Sequence, residues 1–353
     1  MFSYIHIPFC ESKCKYCNFA STWKIQIFQI QKYINFLLFE IDNFDKKIEK
    51  LESIYFGWWT PTTLSVNQLS LIINKLELKF WFNNNIEITL ETTPNKITID
   101  NLWKWKSIWI NRISIWVQSL NNITLSEIWR WNKWNILTAL EAIKSLWFNN
   151  VSIDFIIWLP HVSKWEIKND IEFILDKYAF IKHISVYMLE DQYYPWKWKY
   201  ISINEEDYLW EYVEVLNFLE SKWFYRYEIS NFSKKWYECR HNKSYWNHSD
   251  NIWFWLGAHS YVNNYRFANP DNFIDYYSWK ISYNEKNTDN DLFIENIMFW
   301  LRTDWIEIKY LKWINNKKLE YFINNWYLYI DNNKLFLSIK GTLLLDYILK
   351  ELL

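Results

Sequence analysis

The chain has 353 residues, enough to bury a large core and to form one barrel-sized domain with a smaller one beside it. Its 39 basic and 40 acidic residues leave a net charge of −1, so no excess of positive charge draws it to nucleic acid or anionic lipid. No apolar run reaches membrane-spanning length, and the amino terminus passes straight into the strand-like Ser3-Tyr4-Ile5-His6-Ile7 without a leader pattern; the expected location is the cytoplasm.

In chain order, short β-rich runs alternate with helical patterns up to about residue 190, the signature of βαβ units and a parallel sheet. The predicted strands are Ser3–Pro8, Ser53–Trp58, Glu87–Thr92, Arg112–Gln118, Val151–Trp158 and His183–Leu189. A helix is predicted over Gln31–Leu51, where Ile34, Leu37, Leu38, Ile41 and Phe44 recur at three- and four-residue spacing and form a core-facing stripe. Further helices fall at Val66–Phe80, Asn135–Leu146, Glu166–Lys177 and Glu205–Lys222. Six such units predict an α/β fold, an incomplete (β/α)6 TIM-like barrel over residues 1–225, with its ligand site at the carboxyl ends of the strands. Beyond that the pattern becomes irregular and aromatic-rich, and residues 226–353 read as a smaller α+β domain. Within it a helix is predicted over Asp291–Leu301, a hairpin across Asp331-Asn332-Asn333, and a terminal helical region over Leu343–Leu352.

The composition holds 27 Trp and only 3 Gly, where roughly 7% Gly, about 25 residues, is ordinary. Tryptophan stands in turn contexts: Trp58-Trp59 before Thr60-Pro61, Trp158 before Leu159-Pro160, and Trp253 and Trp255 around Phe254. Glycine serves such places because it accepts positive φ and lets a ligand approach the backbone, and Trp does neither. The expectation is that most of these codons are UGA read as glycine, with a Trp-rich fold as the alternative.

Four cysteines, three of them within eight residues, do not form the spaced framework of a secreted disulfide protein. Cys10-x-x-x-Cys14-x-x-Cys17 places three soft thiolates in one loop, which favours an iron–sulfur cluster or zinc. A structural zinc site wants a fourth protein ligand, and only His6 or the distant Cys239 would serve. Three ligands suit a [4Fe–4S] cluster with one open iron, free to chelate the amino and carboxylate groups of S-adenosylmethionine.

With the preceding Tyr4-Ile5-His6-Ile7-Pro8-Phe9, this motif resembles radical S-adenosylmethionine proteins of the oxygen-independent coproporphyrinogen III oxidase-like group and, within it, the HemW heme chaperones. The resemblance runs from Tyr4 to His259 and more weakly beyond. It implies that Gly57-Trp58-Trp59-Thr60-Pro61 stands where the family has Gly-Gly-Gly-Thr-Pro, whose backbone lies along the cofactor's methionine part; a literal Trp58 and Trp59 would block that pocket. Tyr4 would lie beside the cluster loop and Tyr16 would pack on the adenine. Glu91, Gln118, Arg130 and Asp154 match polar cofactor contacts. His241-Asn242-Lys243-Ser244-Tyr245-Trp246 matches a pattern that accompanies heme binding, with His241 as a heme contact, Trp246 a true tryptophan, and His259 in the same region. Cys239 is read as a buried inert thiol, with a reach to iron as its alternative.

The implied function is a chaperone that binds heme and delivers it to apo-hemoproteins, using the cluster, S-adenosylmethionine and an electron donor. The alternative is an oxygen-independent coproporphyrinogen III oxidase of porphyrin biosynthesis. The oxidases carry a fourth cysteine two residues after the third, where this chain has Phe19, and a longer amino-terminal segment, so the chaperone reading is preferred.

Overall fold

The computed structural model describes residues 1–11, 13–17, 26–45, 50–58, 60–189 and 205–353; Phe19 and Trp59 lie outside the described residues. Six parallel strands, β1 (Phe2–Ile7), β2 (Leu51–Trp58), β3 (Phe82–Thr92), β4 (Arg112–Gln118), β5 (Val151–Ile157) and β6 (Ile181–Met188), are neighbours in sequence order. Between them run α1 (Ile27–Asn43), α2 (Val66–Phe80), α3 (Ile99–Ser107), α4 (Asn122–Glu127), α5 (Lys133–Ser145) and α6 (Glu166–Lys177), and α7 (Glu205–Ser221) follows β6. This is the expected partial barrel. The stripe of α1 is the reason that helix packs: Tyr33, Ile34, Leu37 and Ile41 are fully buried, each aliphatic side chain contributing about 1.5–3 kcal/mol. The helix is displaced toward the amino terminus from its predicted span, because Leu51 is taken by β2, pairing with Phe82.

The strands carry polar residues at every second position: Ser53, Tyr55 and Gly57 on β2, Glu87, Thr89 and Glu91 on β3, Arg112 and Ser114 on β4, His183 and Ser185 on β6. A parallel sheet covered on both faces reads as continuous apolar sequence, so this alternation marks one face that lines a polar interior.

The sheet does not end where the first domain was expected to end. After β7 (Tyr225–Glu228) and β8 (Asn231–Ser233), which extend the β6 edge, helix α8 (Arg240–Trp246) leads into β9 (Asn251–Phe254), which pairs in parallel with β1. Then β10 (His259–Val262), β11 (Tyr265–Ala268), α9 (Phe273–Tyr277) and β12 (Tyr283–Lys286) complete a 12-stranded sheet. The 12-stranded sheet thus runs on to Lys286, while Ile229 packs in the apolar cluster of the elements that follow. Strands of three or four residues carry too short an alternation to be read from sequence, which is why this stretch looked irregular. A second apolar cluster gathers α10 (Asp289–Thr303), β13 (Trp305–Glu307), α11 (Asn316–Asn324), β14 (Leu328–Asp331), β15 (Lys334–Leu337), α12 (Ile339–Thr342) and α13 (Leu345–Leu352) around Ile297, Leu301, Phe322, Leu335 and Ile348. The hairpin β14–β15 turns at Asn332-Asn333, both with positive φ, as a two-residue turn of this kind requires.

Among the described residues, 12 Trp have positive φ. Six of them, Trp109, Trp129, Trp147, Trp223, Trp279 and Trp326, sit just past the ends of α3, α4, α5, α7, α9 and α11. Each is spanned by the same pair of bonds: at α3, Trp109 N–H donates to the Lys106 carbonyl and Ile110 N–H to that of Trp105, and at α5, Trp147 N–H donates to Lys144 and Phe148 N–H to Ile143. This is the helix stop that glycine ordinarily occupies.

One buried carboxyl joins α1 to the sheet extension. Glu40 accepts from Tyr276 Oη (2.5 Å) and Asn269 Nδ2 (2.5 Å), and burial holds it up at about 7. Between about pH 4.5 and 7 the folded chain therefore keeps a proton that the unfolded chain has released, so stability from this group is present at low pH and lost as pH rises through that window. The expected outcome is that Glu40→Gln abolishes a slope amounting to roughly 3 kcal/mol across the window. Urea midpoints at pH 5 and 7.5 check it: an equal drop in mutant and wild type would refute it.

Candidate cofactor site at the strand ends

The cysteine loop leaves the carboxyl end of β1 and is tied down on two sides. Thr60 N–H donates to the Phe9 carbonyl (3.2 Å), bringing the loop after β2 beside it, and Lys15 N–H donates to the Ile128 carbonyl while its ammonium pairs with Glu127 (2.7 Å). Cys10 Sγ lies 3.2 Å from Thr60 Oγ1; Cys10 and Cys14 are buried and Cys17 is half-buried. Among the described residues no three His, Cys, Asp or Glu side chains close around a single metal ion. A four-iron cluster spaces its cysteine ligands more widely, and the donor set suits it: three thiols with no imidazole or carboxylate among them.

Tyr16, between the second and third cysteines, accepts from Gln118 Nε2 (2.8 Å) and Arg130 Nε (2.9 Å), with the guanidinium also 5.5 Å above its ring and 5.1 Å from Trp116. These bonds bring the loops after β1 and β4 and the end of α4 to one place. Gln118 has φ of 69° at the last position of β4, which turns its side chain toward Tyr16. Its Oε1 is buried without a partner among the described residues, and a ligand donor at that point would satisfy it.

Glu91 accepts from Tyr55 Oη (2.7 Å) and from the Trp58 backbone N–H (2.9 Å), and burial holds its carboxyl up at about 7. Asp154 accepts from Ser114 Oγ (3.2 Å) and Ser152 Oγ (3.4 Å), and burial raises it to about 6. Gly57 has no room for a side chain: a Cβ there would come within 2.8 Å of the Tyr55 ring and 2.9 Å of Tyr4 Oη. Trp58 follows with φ of 95°, a glycine conformation, and its indole lies 4.4 Å from the His6 ring. Tyr4, Tyr16, Gly57, Trp58, Thr60, Glu91, Gln118, Arg130 and Asp154 thus belong to the strands, strand ends and following loops that surround the cysteine loop. Tyr55 was missed, although its place in the polar alternation of β2 signals it.

His241 stacks on the Tyr4 and Tyr55 rings, with centroids 6.0 Å and 5.1 Å away, and borders the same cavity as Glu91. It sits on α8 at the amino end of the barrel: Nδ1 bonds Ser53 Oγ (2.8 Å), whose residue pairs with Phe2 at the start of β1, and Nε2 bonds Tyr245 Oη (2.6 Å). Along β2 that is five residues, about 17 Å, from Trp58. It is 2% exposed, and burial lowers its pKa to about 3. With both ring nitrogens bonded, His241 offers no open coordination position in this arrangement. Its neighbour Cys239 has its thiol pushed up to about 12 by burial, 3.7 Å from Glu87 Oε1. His259 is exposed on β10 and bonds Tyr283 Oη (3.0 Å), away from His241.

Comparison with known proteins adds three findings. The Radical SAM superfamily pattern matches residues 4–174. The chain is 31% identical over 278 residues to the heme chaperone HemW of Bacillus subtilis (strain 168), covering 76% of this chain and 72% of that protein, and 31% identical over 264 residues to the HemW of Buchnera aphidicola subsp. Schizaphis graminum (73% and 69%). The solved structure of coproporphyrinogen III oxidase (HemN) from Escherichia coli superposes with a TM-score of 0.83 over 99% of this chain and 88% of that one at 18% identity, a likeness of fold. By its identity to these relatives over about three quarters of its length, the chain belongs to the HemW family of the radical SAM superfamily.

Proposed function

We infer that the protein is a heme chaperone of the cytoplasm that binds heme and passes it to apo-hemoproteins. The observation that carries this reading is the identity to HemW proteins across three quarters of the chain. No helix among the described residues is long and apolar enough to cross a membrane.

The residues that would hold a [4Fe–4S] cluster are Cys10, Cys14 and Cys17. Those that would hold S-adenosylmethionine are Tyr4, Tyr16, Gly57, Trp58, Trp59, Thr60, Glu91, Gln118, Arg130 and Asp154. When bound, the cluster would supply an electron, received from a donor protein, to the sulfonium. The chain's part is to position: Gln118 and Arg130 fix Tyr16 over the loop, and Glu91, held by Tyr55, can accept a proton from a ligand amino group without leaving its bonds. His241 enters as a heme contact by releasing Nε2 from Tyr245.

The test has two parts. Reconstituted protein incubated with coproporphyrinogen III, reductant and S-adenosylmethionine is expected to form no protoporphyrinogen; clear formation overturns the chaperone reading. Hemin titration is expected to give a saturable Soret shift, weakened in His241→Ala. Unchanged spectra and affinity in that variant would remove His241 from the site and leave the chaperone reading standing.

A further inference from the structure

The barrel interior contains a cation whose donors are only partly used. Arg112 opens β4 and is 1% exposed, yet its Nε and Nη1 are buried without a hydrogen-bond partner among the described residues. It borders a cavity of about 180 Å³ whose walls include Tyr55, Glu91, Ser114, His183, Ser185 and Tyr187. The other polar groups of that wall are already committed within the protein. Ser114 donates to Asp154 and Ser185 to Asn231 (2.8 Å). The ring nitrogens of His183 bond Ser152 (2.7 Å) and Tyr227 (2.7 Å), and those of His241 bond Ser53 and Tyr245. Glu87, on the neighbouring strand, spends Oε1 on the His241 N–H and the Cys239 thiol, and it and Asp154 act on the guanidinium through their charge while Nε and Nη1 stay unbonded. A buried guanidinium costs several kcal/mol to desolvate unless an anion meets it, and its planar donors fit a carboxylate.

We propose that this cavity receives a carboxylate arm of the bound tetrapyrrole, a propionate, paired with Arg112. The proposal rests on the heme-binding reading and adds how the cargo is recognised. The cavity is smaller than the roughly 300–1,000 Å³ of whole-ligand pockets, so it takes an arm and not the ring. Tyr187, near the carboxyl end of β6, is the exposed member of the wall, so the arm enters from the end of the barrel where the cysteine loop lies. Tyr4 and Glu91 belong both to this wall and to the candidate cofactor site, so an occupant would lie against the cofactor. Trp253 forms another part of the wall, and glycine there would widen it without touching Arg112.

The experiment compares hemin with its dimethyl ester, in which both carboxylates are blocked, by Soret titration of the full chain as wild type, Arg112→Gln and Arg112→Lys. A charged hydrogen-bonded pair predicts at least tenfold tighter binding of hemin than of the ester by wild type, by roughly 1.5–3 kcal/mol. Arg112→Gln is expected to remove that preference by weakening hemin alone, and Arg112→Lys to keep part of it. Equal binding of hemin and ester by wild type, or an equal loss for both ligands in Arg112→Gln, overturns the proposal while heme binding stands. If Arg112→Gln does not fold, the ester comparison in wild type and Arg112→Lys decides. Absence of hemin binding by wild type would overturn the chaperone reading, and this proposal with it.

Discussion

Replacing Trp109, Trp129, Trp147, Trp223, Trp279 and Trp326 by glycine is expected to stabilise the protein by roughly 6–12 kcal/mol. Each stands in the left-handed region with φ between 53° and 72°. A side chain with a Cβ costs about 1–2 kcal/mol there, and six positions at the ends of six helices add nearly independently. That sum equals the whole stability of an ordinary domain, about 5–15 kcal/mol. The bonds around these positions allow no easy escape, because moving out of the left-handed region breaks both helix-closing bonds, as from Trp129 N–H to Ser126 and from Arg130 N–H to Leu125. At three of them burial offers little compensation: Trp147, Trp223 and Trp326 are 79%, 69% and 77% exposed.

The measurement is urea unfolding of the two forms side by side, with the tryptophan form expected to be poorly soluble or to unfold at far lower denaturant. Mass spectrometry of the protein from its natural source should then find glycine at these six positions and at Trp58, with UGA at the corresponding codons. Trp246 is the internal control: its backbone is helical, its ring packs 5.6 Å from Phe299 and 4.9 Å from the Arg302 guanidinium, and it should keep a tryptophan mass. Tryptophan masses at 109, 147 and 223 in a stable natural protein would end the recoding reading. At the cofactor site the consequence is direct, because the positive φ of Trp58 is one that glycine adopts freely and its N–H is already used by Glu91.

Cys14→Ala is expected to abolish the cluster outright, with iron and sulfide in the reconstituted protein falling to background and the brown absorption lost. Two remaining thiolates are too few to hold a four-iron cluster that has only three protein ligands. Cys239 is the remaining cysteine, but it lies at the amino end of the barrel beside Glu87, with its thiol protonated far above neutrality. Cys239→Ala should therefore leave the iron content unchanged. Full iron retention in Cys14→Ala would sink the three-cysteine assignment; loss of iron in Cys239→Ala would show a fourth ligand and the same would follow for the open iron.

Much of this protein was legible without coordinates. The three cysteines, the six β/α units and the excess of Trp over Gly are local patterns, each set by a few neighbouring residues and their chemistry. Helices α2 and α6 were readable to the residue because Ser65 and Gln68 close a capping box at one end and Lys177 ends the apolar period at the other. The joining of β9 to the sheet was not, because that strand of four residues pairs with Phe2 and Ser3, some 250 residues away in the chain, while β10 to β12 pair with one another locally but are too short to show a pattern.

The site divides in the same way. That three thiolates share one loop at a strand end was legible from spacing along one segment, whereas the polar alternation of the strands came out only with the pairing of the sheet. It took the folded chain to show that Tyr16 gathers Gln118 and Arg130, that His241 stacks on Tyr4 and Tyr55, and that Arg112 keeps Nε and Nη1 unbonded among the described residues. Those facts depend on which side chains from distant segments meet in a low-dielectric interior, where one unmade bond or one made bond changes what a residue is able to do.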